Sequence, residues 1–163
     1  MKLINSDDPI LKQKTIRWDF ENHVNAAVIE REMLELMKST GGIGLAANQV
    51  GLDRSVFVMK LADGREMGFF NPAILYAKGS QLGEEGCLSF PNLWLKVERY
   101  EKLQATYLDN TGKRCIIELE GIDARFFQHE LDHLEGVCFT DGVSKLKLDR
   151  ALQKQRKLNG RTK

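Results

Sequence analysis

Cysteine is scarce in this chain, and long apolar runs are absent from it. The three cysteines, Cys87, Cys115 and Cys138, do not have the spacing of a disulfide framework. No segment reaches the roughly 18 consecutive apolar residues that a membrane-crossing helix needs. The first residues, from Met1 to Asp8, include an acidic pair that interrupts any secretory signal, and they are not the Arg- and Ser-rich sequence of a transit peptide. These absences predict a protein of the reducing cytoplasm, with free thiols and no membrane partner.

Charge is distributed unevenly along a chain that is otherwise ordinary in composition. Hydrophobic residues make up 42% and charged residues 29% of its 163 residues, which suits one globular domain with a full core. The segment from Lys145 to Lys163 has eight Lys or Arg and one Asp, a net charge of +7, so the remainder carries −6 of the total of +1. We expect a main domain of residues 1–144 and a basic C-terminal helix or tail of residues 145–163. That helix either packs lightly on the domain or binds RNA phosphates.

Hydrophobic periodicity predicts helices mixed with antiparallel strands. Apolar residues recur at helical spacing from Ala26 to Met37, and Asn25 is expected to cap that helix. A second helix is expected from Ala124 to Glu135, with Asp123 as its N-cap and Gly136 as its stop. Strands are expected at residues 54–60 and 72–77 and in a hairpin of residues 103–108 and 114–119. The sequence therefore predicts a compact single α+β domain, with mostly antiparallel sheets around the second helix.

That second helix carries the strongest chemical signal of the chain, His129-Glu130-Leu131-Asp132-His133. His129 and His133 would lie on one face about one turn apart, so both imidazoles can reach a single metal ion. Glu130 can then accept a proton from a metal-bound water, which is the chemistry of a hydrolase. Because a lone match of this motif also arises by chance, the prediction depends on a third ligand.

The usual downstream patterns do not supply that ligand. One such pattern carries a third histidine after a glycine, but this chain has Phe139 at that position. The other pattern uses a downstream glutamate, and no glutamate follows Glu135. Asp141 and Asp149 stay open as ligands, although neither lies in a recognisable frame. Cys87 is the leading upstream candidate, and a small buried thiol is its alternative interpretation. A Cys/His/His set leaves a fourth position for water and suits Zn, Fe(II), Co or Ni rather than Mg or Ca.

A third motif, Gly42-Ile43-Gly44-Leu45-Ala46-Ala47-Asn48-Gln49, precedes these two. Together with Glu85-Gly86-Cys87-Leu88-Ser89 and Gln128-His129-Glu130-Leu131-Asp132-His133, it resembles the peptide deformylase family in order and spacing. The resemblance runs from about Ile4 to at least Ser144. It implies a bacterial or phage-encoded hydrolase that removes the N-formyl group from the initiator methionine of nascent polypeptides and releases formate.

The resemblance also implies a cofactor and a catalytic mechanism. One divalent metal ion is expected, Fe(II) in the cell and Zn or Ni after purification, and its ligands would be Cys87, His129 and His133. A metal-bound hydroxide would attack the formyl carbon, with Glu130 as general acid and base. Gln49 and the backbone N–H of Leu88 would hold the formyl oxygen while it carries negative charge.

Seven residues are expected to contact the substrate. Ile43 and Gly44 resemble the family's strand edge, to which the substrate main chain adds as an extra strand. Trp94 corresponds to a position near the mouth of the family's substrate pocket. Its alternative interpretation is an aromatic residue on the rim that does not contact substrate. The full set that the resemblance implies is Ile43, Gly44, Gly86, Trp94, Ile122, Arg125 and Phe126. Among these, Ile43, Ile122, Arg125 and Phe126 are expected to form the wall of the methionine pocket.

Three charged residues are expected to support the ligands. Glu85 and Arg99 match a pair that supports the cysteine loop in the family, with two solvated charges as the alternative. Asp132 is expected to orient a ligand histidine or a neighbouring main-chain group.

The resemblance also bears on residues 145–163, because the C-terminal helix of related bacterial enzymes contacts the ribosome. The basic segment is therefore expected either to bind the ribosome or to form a solvated helix that packs lightly on the domain. A zinc endopeptidase and a non-catalytic binding protein are the competing functions.

Overall fold

The computed structural model describes residues 1–22 and 25–159 of the chain, so the last four residues of the expected basic segment lie outside it. Within the described residues the α-helices are α1 (Ala26–Ser39), α2 (Gly121–Leu134) and α3 (Lys145–Asn159). The strands are β1 (Gly44–Ala46), β2 (Val56–Lys60), β3 (Glu66–Lys78), β4 (Gln81–Cys87), β5 (Phe90–Arg99), β6 (Lys102–Leu108) and β7 (Arg114–Glu120). Two short 3-10 helices cover Pro9–Lys12 and Ala47–Val50.

The strands form two antiparallel sheets. The larger sheet has five strands in the order β1-β2-β3-β6-β7, and the smaller sheet is β4 paired with β5. The expected hairpin is the β6–β7 pair, in which Leu103 lies opposite Leu119. Its turn is closed by the Asp109 carboxylate, which accepts hydrogen bonds from the backbone N–H groups of Thr111 and Lys113. The expected α+β class with antiparallel sheets is confirmed.

Helices cover both faces of the larger sheet. Successive side chains of a strand point to opposite faces, and in β2 Phe57 joins the cluster around Phe127 of α2 while Val58 joins the cluster around Met33 of α1. The Phe127 ring meets the Phe57 ring edge-on, with centroids 5.1 Å apart. As a result α2, which carries the His-Glu-x-x-His motif, is held deep in the molecule.

Several expected boundaries are wrong for physical reasons. Helix α2 begins at Gly121 with Glu120 as N-cap, because it follows directly from β7. Asp123 lies in the first turn, where its carboxylate accepts a hydrogen bond from the backbone N–H of Ala62, in the loop between β2 and β3. Asn25 does precede α1, but it has a left-handed backbone and its side chain makes no capping hydrogen bond. Strand β3 is longer than expected because its two halves pair with different strands, β2 and β6.

Helix α3 packs on the smaller sheet rather than standing free. Its apolar residues Leu148, Ala151 and Leu152 lie against the cluster that contains Leu93 and Leu95 of β5. Beyond this apolar contact, the side-chain amide of Gln155 donates to the carbonyl oxygen of Pro91 at 2.7 Å. None of the helices in residues 1–22 and 25–159 has the length and apolar character that a membrane span requires.

Candidate metal centre and its cavity

Cys87, His129 and His133 come together although β4 and α2 are far apart in sequence. Their ligand atoms all lie within 4.8 Å of one another, and Cys87 Sγ is 3.2 Å from His133 Nε2. The two alternative ligands lie elsewhere. Asp141 forms an exposed ion pair with Lys12, 2.6 Å between Nζ and Oδ2, and Asp149 is exposed on α3.

A buried glutamate fixes the orientation of the first histidine. Glu85 Oε2 lies 2.9 Å from His129 Nδ1, which leaves Nε2 of that ring to face the other two ligands. The Glu85 carboxylate also accepts two hydrogen bonds from Arg99, of 2.9 and 3.0 Å. Burial alone would raise the pKa of Glu85, but the hydrogen bonds from His129 and Arg99 and the Arg99 charge lower it to about 2. Glu85 is therefore an ionised support for the ligand ring.

The second histidine is held through its main chain. Asp132, which the sequence predicts to orient a ligand histidine or a neighbouring main-chain group, pairs with Arg99, the same arginine that binds Glu85. The backbone carbonyl of His133 accepts a hydrogen bond from the side-chain amide of Asn48, a contact that sequence reasoning missed. Burial and the nearby His129 lower the pKa of His133 well below its usual value, which favours the neutral imidazole that binds metals.

Glu130 points into the site from the same helix. It is 4% exposed, and its Oε2 atom has no hydrogen-bond partner among the residues that the structure describes. Burial raises the pKa of Glu130 to about 7. Gly44 passes directly beside it: a Cβ atom at position 44 would lie 2.3 Å from Glu130 Oε1. The glycine is therefore needed for the backbone of β1 to approach the carboxyl group.

Gln49 presents its side-chain amide beside the cysteine ligand. Its Oε1 accepts the backbone N–H of Ala46 at 2.8 Å, which fixes the amide so that Nε2 faces Cys87 and Ser89. Nε2 is 3.3 Å from Cys87 Sγ and 3.0 Å from Ser89 Oγ. Gln49 therefore offers a fixed donor next to the thiol.

A cavity of about 330 Å³ opens onto this cluster. Of the seven residues expected to contact substrate, five line it: Ile43, Gly44, Gly86, Trp94 and Phe126. Gln49, Leu88 and Glu130 line it as well. The sequence did not point to Phe90, Asn92 and Leu93, although they follow directly on the cysteine motif at the start of β5.

Two expected pocket residues lie elsewhere. Ile122 is half exposed at the first turn of α2 and does not line the cavity. Arg125 is buried, but it points to β4 and β5, where it binds Glu85 and main-chain carbonyl groups. Each residue advances about 100° around a helix, so Arg125, the neighbour of the cavity-lining Phe126, faces a different surface. Ile122 precedes Phe126 by about one turn on the same side of α2, at the exposed start of the helix. Their expected place in the pocket wall is wrong.

A carboxyl group beside a Cys/His/His set with room for water is the arrangement of metal-dependent hydrolases, since structural metal sites are closed by four protein ligands. The chain matches the family model described as polypeptide deformylase over residues 1–149, and it belongs to that family. Enzymes of this family are metal-dependent and remove the N-formyl group from nascent peptides, and the chain is an enzyme of this type.

Relatives resemble the chain over most of its length. It is 42% identical over 129 residues to a peptide deformylase of Treponema pallidum, covering 78% of this chain and 79% of that one. It is 39% identical over 162 residues to a peptide deformylase of Maricaulis maris, with 96% and 92% covered. A crystal structure of a peptide deformylase from Legionella pneumophila superposes with a TM-score of 0.89 at 31% identity, covering 99% and 96%. The family resemblance of the sequence is thus confirmed.

Proposed function

We propose that the chain hydrolyses the formamide bond of N-formylmethionyl peptides at a metal centre held by Cys87, His129 and His133. The observation that carries this proposal is the approach of the three ligand atoms to within 4.8 Å. One thiolate and two imidazoles fit Fe(II), Zn, Co or Ni. The fit is strengthened by Glu85, which occupies Nδ1 of His129 and leaves Nε2 for the ion. We propose Fe(II) as the native ion, with Zn or Ni after handling in air.

Each catalytic role is assigned to a residue that faces the cavity. The ion would supply Lewis acidity, which lowers the pKa of a bound water far below its value in bulk solvent, towards roughly 7. Glu130 accepts the proton of the attacking water and passes it to the leaving amine, a task that suits a pKa of about 7. The Gln49 amide and the backbone N–H of Leu88 donate to the formyl oxygen as it becomes negative.

The substrate is proposed to bind as an added strand. Strand β1 is the edge of the five-stranded sheet, and it borders the cavity at Gly44. A peptide main chain can pair with that edge, and an unbranched methionine side chain suits the apolar lining of Ile43, Leu88 and Phe126. Trp94, which is 61% exposed beside Gly86, would meet residues that follow the methionine.

The test is formate release from formyl-Met-Ala-Ser by protein purified without oxygen, with the metal content measured on the same sample. We expect rapid release that depends on about one bound ion, and no cleavage of the internal peptide bonds of the unformylated peptide. Folded, metal-loaded protein that releases no formate would overturn the proposal. Cleavage at internal bonds would favour an endopeptidase instead.

The contact between Gly44 and Glu130 gives a direct prediction. Gly44→Ala places a methyl group where the Glu130 carboxyl lies, so the carboxyl must move by an ångström or more. We expect kcat at saturating peptide to fall about 100-fold, because displacement on that scale disrupts a reacting geometry. The metal content should stay unchanged. Gly142→Ala is the matched control, since a Cβ there would meet no atom within 4 Å; equal kcat for the two variants would contradict the role of Glu130.

We propose further that residues 1–144 are the catalytic domain and that residues 145–163 form a basic appendage that contacts rRNA phosphates in the bacterial cytoplasm. The apolar side of α3 is taken up by β5, while Lys147, Arg150 and Lys154 are exposed. Exposed cations bind phosphates by releasing counterions, so their effect depends on salt.

Charge reversal of the appendage is expected to weaken ribosome binding without changing turnover. The variant Lys147→Glu/Arg150→Glu/Lys154→Glu should bind ribosomes at least about tenfold more weakly in cosedimentation at low salt, with a shallower dependence on salt. A variant with the same three charge changes on the domain, Lys60→Glu/Lys78→Glu/Lys113→Glu, is the control. Equal weakening by both variants would show that only net charge matters.

A further inference from the structure

Arg125 places a buried cation between helix α2 and the smaller sheet. Its side chain is 3% exposed. Nη1 donates to Glu85 Oε1 at 2.7 Å and to the carbonyl oxygen of Val97 at 2.9 Å. Nη2 donates to the carbonyl oxygen of Gln81 at 2.8 Å. The guanidinium therefore joins α2 to the backbones of both β4 and β5 and to the carboxylate of Glu85.

A glycine makes room for this guanidinium. A Cβ atom on Gly83 would lie 2.9 Å from Arg125 Cζ and from Nη2. Glycine weakens the interior of a strand unless another group must come close to the backbone. Here Gly83 lies inside β4, and the group that approaches it is the planar end of Arg125, which also lies 3.3 Å from the Gly83 carbonyl oxygen.

Glu85 connects this contact to the metal ligands. Its Oε1 accepts hydrogen bonds from both Arg99 Nε and Arg125 Nη1, while its Oε2 lies against His129. Two residues further along the same strand is Cys87. Arg125 thus holds the strand that carries the thiol ligand and, through Glu85, the ring of a histidine ligand.

We infer that Arg125 is a positioning residue of the metal centre, which fixes β4 against α2 so that Cys87 and His129 face the same ion. This inference rests on the proposed function, because it needs a metal at these ligands. Arg125 itself touches neither the cavity nor the ligands. Removing it leaves Glu85 with Arg99 and His129 as partners. It also leaves the carbonyl groups of Gln81 and Val97 without this donor.

The test measures metal retention. Wild type, Arg125→Leu, Arg125→Lys and Gly83→Ala are loaded with Co(II), and the thiolate-to-cobalt absorption band is followed after excess chelator is added. We expect the band to decay about 10- to 100-fold faster in Arg125→Leu, as for other residues that support metal ligands. Arg125→Lys should lose cobalt at a rate between those of wild type and Arg125→Leu, because an ammonium group can bind Glu85 but cannot reach both strands. KM for formyl-Met-Ala-Ser should stay near that of wild type.

A double-mutant cycle separates positioning from a general loss of stability. Gly83→Ala should speed cobalt loss in the wild-type background but not in Arg125→Leu, where the guanidinium is gone. Leu103→Ala, a core change in β6, should lower the melting temperature without the same effect on the band. If Arg125→Leu does not fold, the Gly83→Ala and Arg125→Lys variants still test the inference.

A failure of the proposed metal centre can be distinguished from a failure of the role of Arg125. Wild type that gives no thiolate-to-cobalt band would overturn the metal centre and the proposed function together. Wild type that holds cobalt while Gly83→Ala and the Arg125 variants release it at the wild-type rate would overturn only the role of Arg125. The role would also fall if Gly83→Ala sped cobalt loss equally with and without Arg125.

Discussion

Replacing Glu130 with glutamine is expected to lower kcat by about 10²- to 10⁴-fold, which is the usual contribution of a positioned acid and base. The amide has nearly the same shape as the carboxyl group, so the close contact with Gly44 is kept. It cannot accept the proton of the attacking water, which is why turnover should fall while the fold remains. Because Glu130 is not one of the three clustered ligands, metal content should remain at the wild-type level.

The measurement is formate release at saturating formyl-Met-Ala-Ser, together with metal analysis of the same sample. Glu118→Gln, an exposed change on β7, is the matched control and should leave kcat unchanged. Loss of metal from Glu130→Gln would mean that Glu130 supports the ion rather than moves a proton. Unchanged kcat would remove it from the reaction altogether.

Replacing Cys87 with alanine is expected to remove both the bound metal and the activity. Zinc sites with four ligands contribute about 10–16 kcal/mol, so one ligand accounts for about 2.5–4 kcal/mol. That corresponds to metal affinity weaker by roughly 100- to 1000-fold. The two histidines on α2 would remain, but a pair of imidazoles without the thiolate binds the ion too weakly to survive purification.

Metal content after gel filtration and formate release on the same sample check this expectation. Cys115→Ser is the matched control, because Cys115 is a half-buried thiol on β7, outside the ligand cluster. It should keep about one ion and full activity. Normal metal content in Cys87→Ala would exclude Cys87 from the site, and loss of metal in folded Cys115→Ser would mean that the wrong thiol was chosen.

Local sequence patterns were sufficient to predict the structure where one short segment determines the geometry. The spacing of His129 and His133 on one helix face and the alternation in β6 and β7 both depend on neighbours within a few residues. Without the family resemblance, Cys87 is the leading candidate for the third ligand with a buried thiol as its alternative, because no rule of spacing connects β4 to α2.

The contacts that sequence reasoning missed or misplaced all cross between elements. Asn48 binds the carbonyl of a residue 85 positions away, and Asp132 pairs with an arginine of β5 rather than with a ligand ring. The resemblance predicts Arg125 in the wall of the methionine pocket, yet the phase of α2 and the space beside Gly83 direct its side chain to the smaller sheet. The direction in which such a side chain points depends on how helices and strands pack against one another. The residue pattern of one segment does not contain that information.

The candidate ligands come from two separate pieces of the fold, a helix buried against the five-stranded sheet and the end of a two-stranded sheet. A pair of strands alone is marginally stable. Helix α3 and Arg125 already support β4 and β5, and an ion that joins them to α2 would stabilise them further. Folding and metal supply are then thermodynamically linked: an ion at about 1000 times its dissociation constant stabilises the native state by about 4 kcal/mol. In a cell short of that ion, local unfolding would start at β4 and β5, and Cys87 would be exposed to oxidants before the core opened.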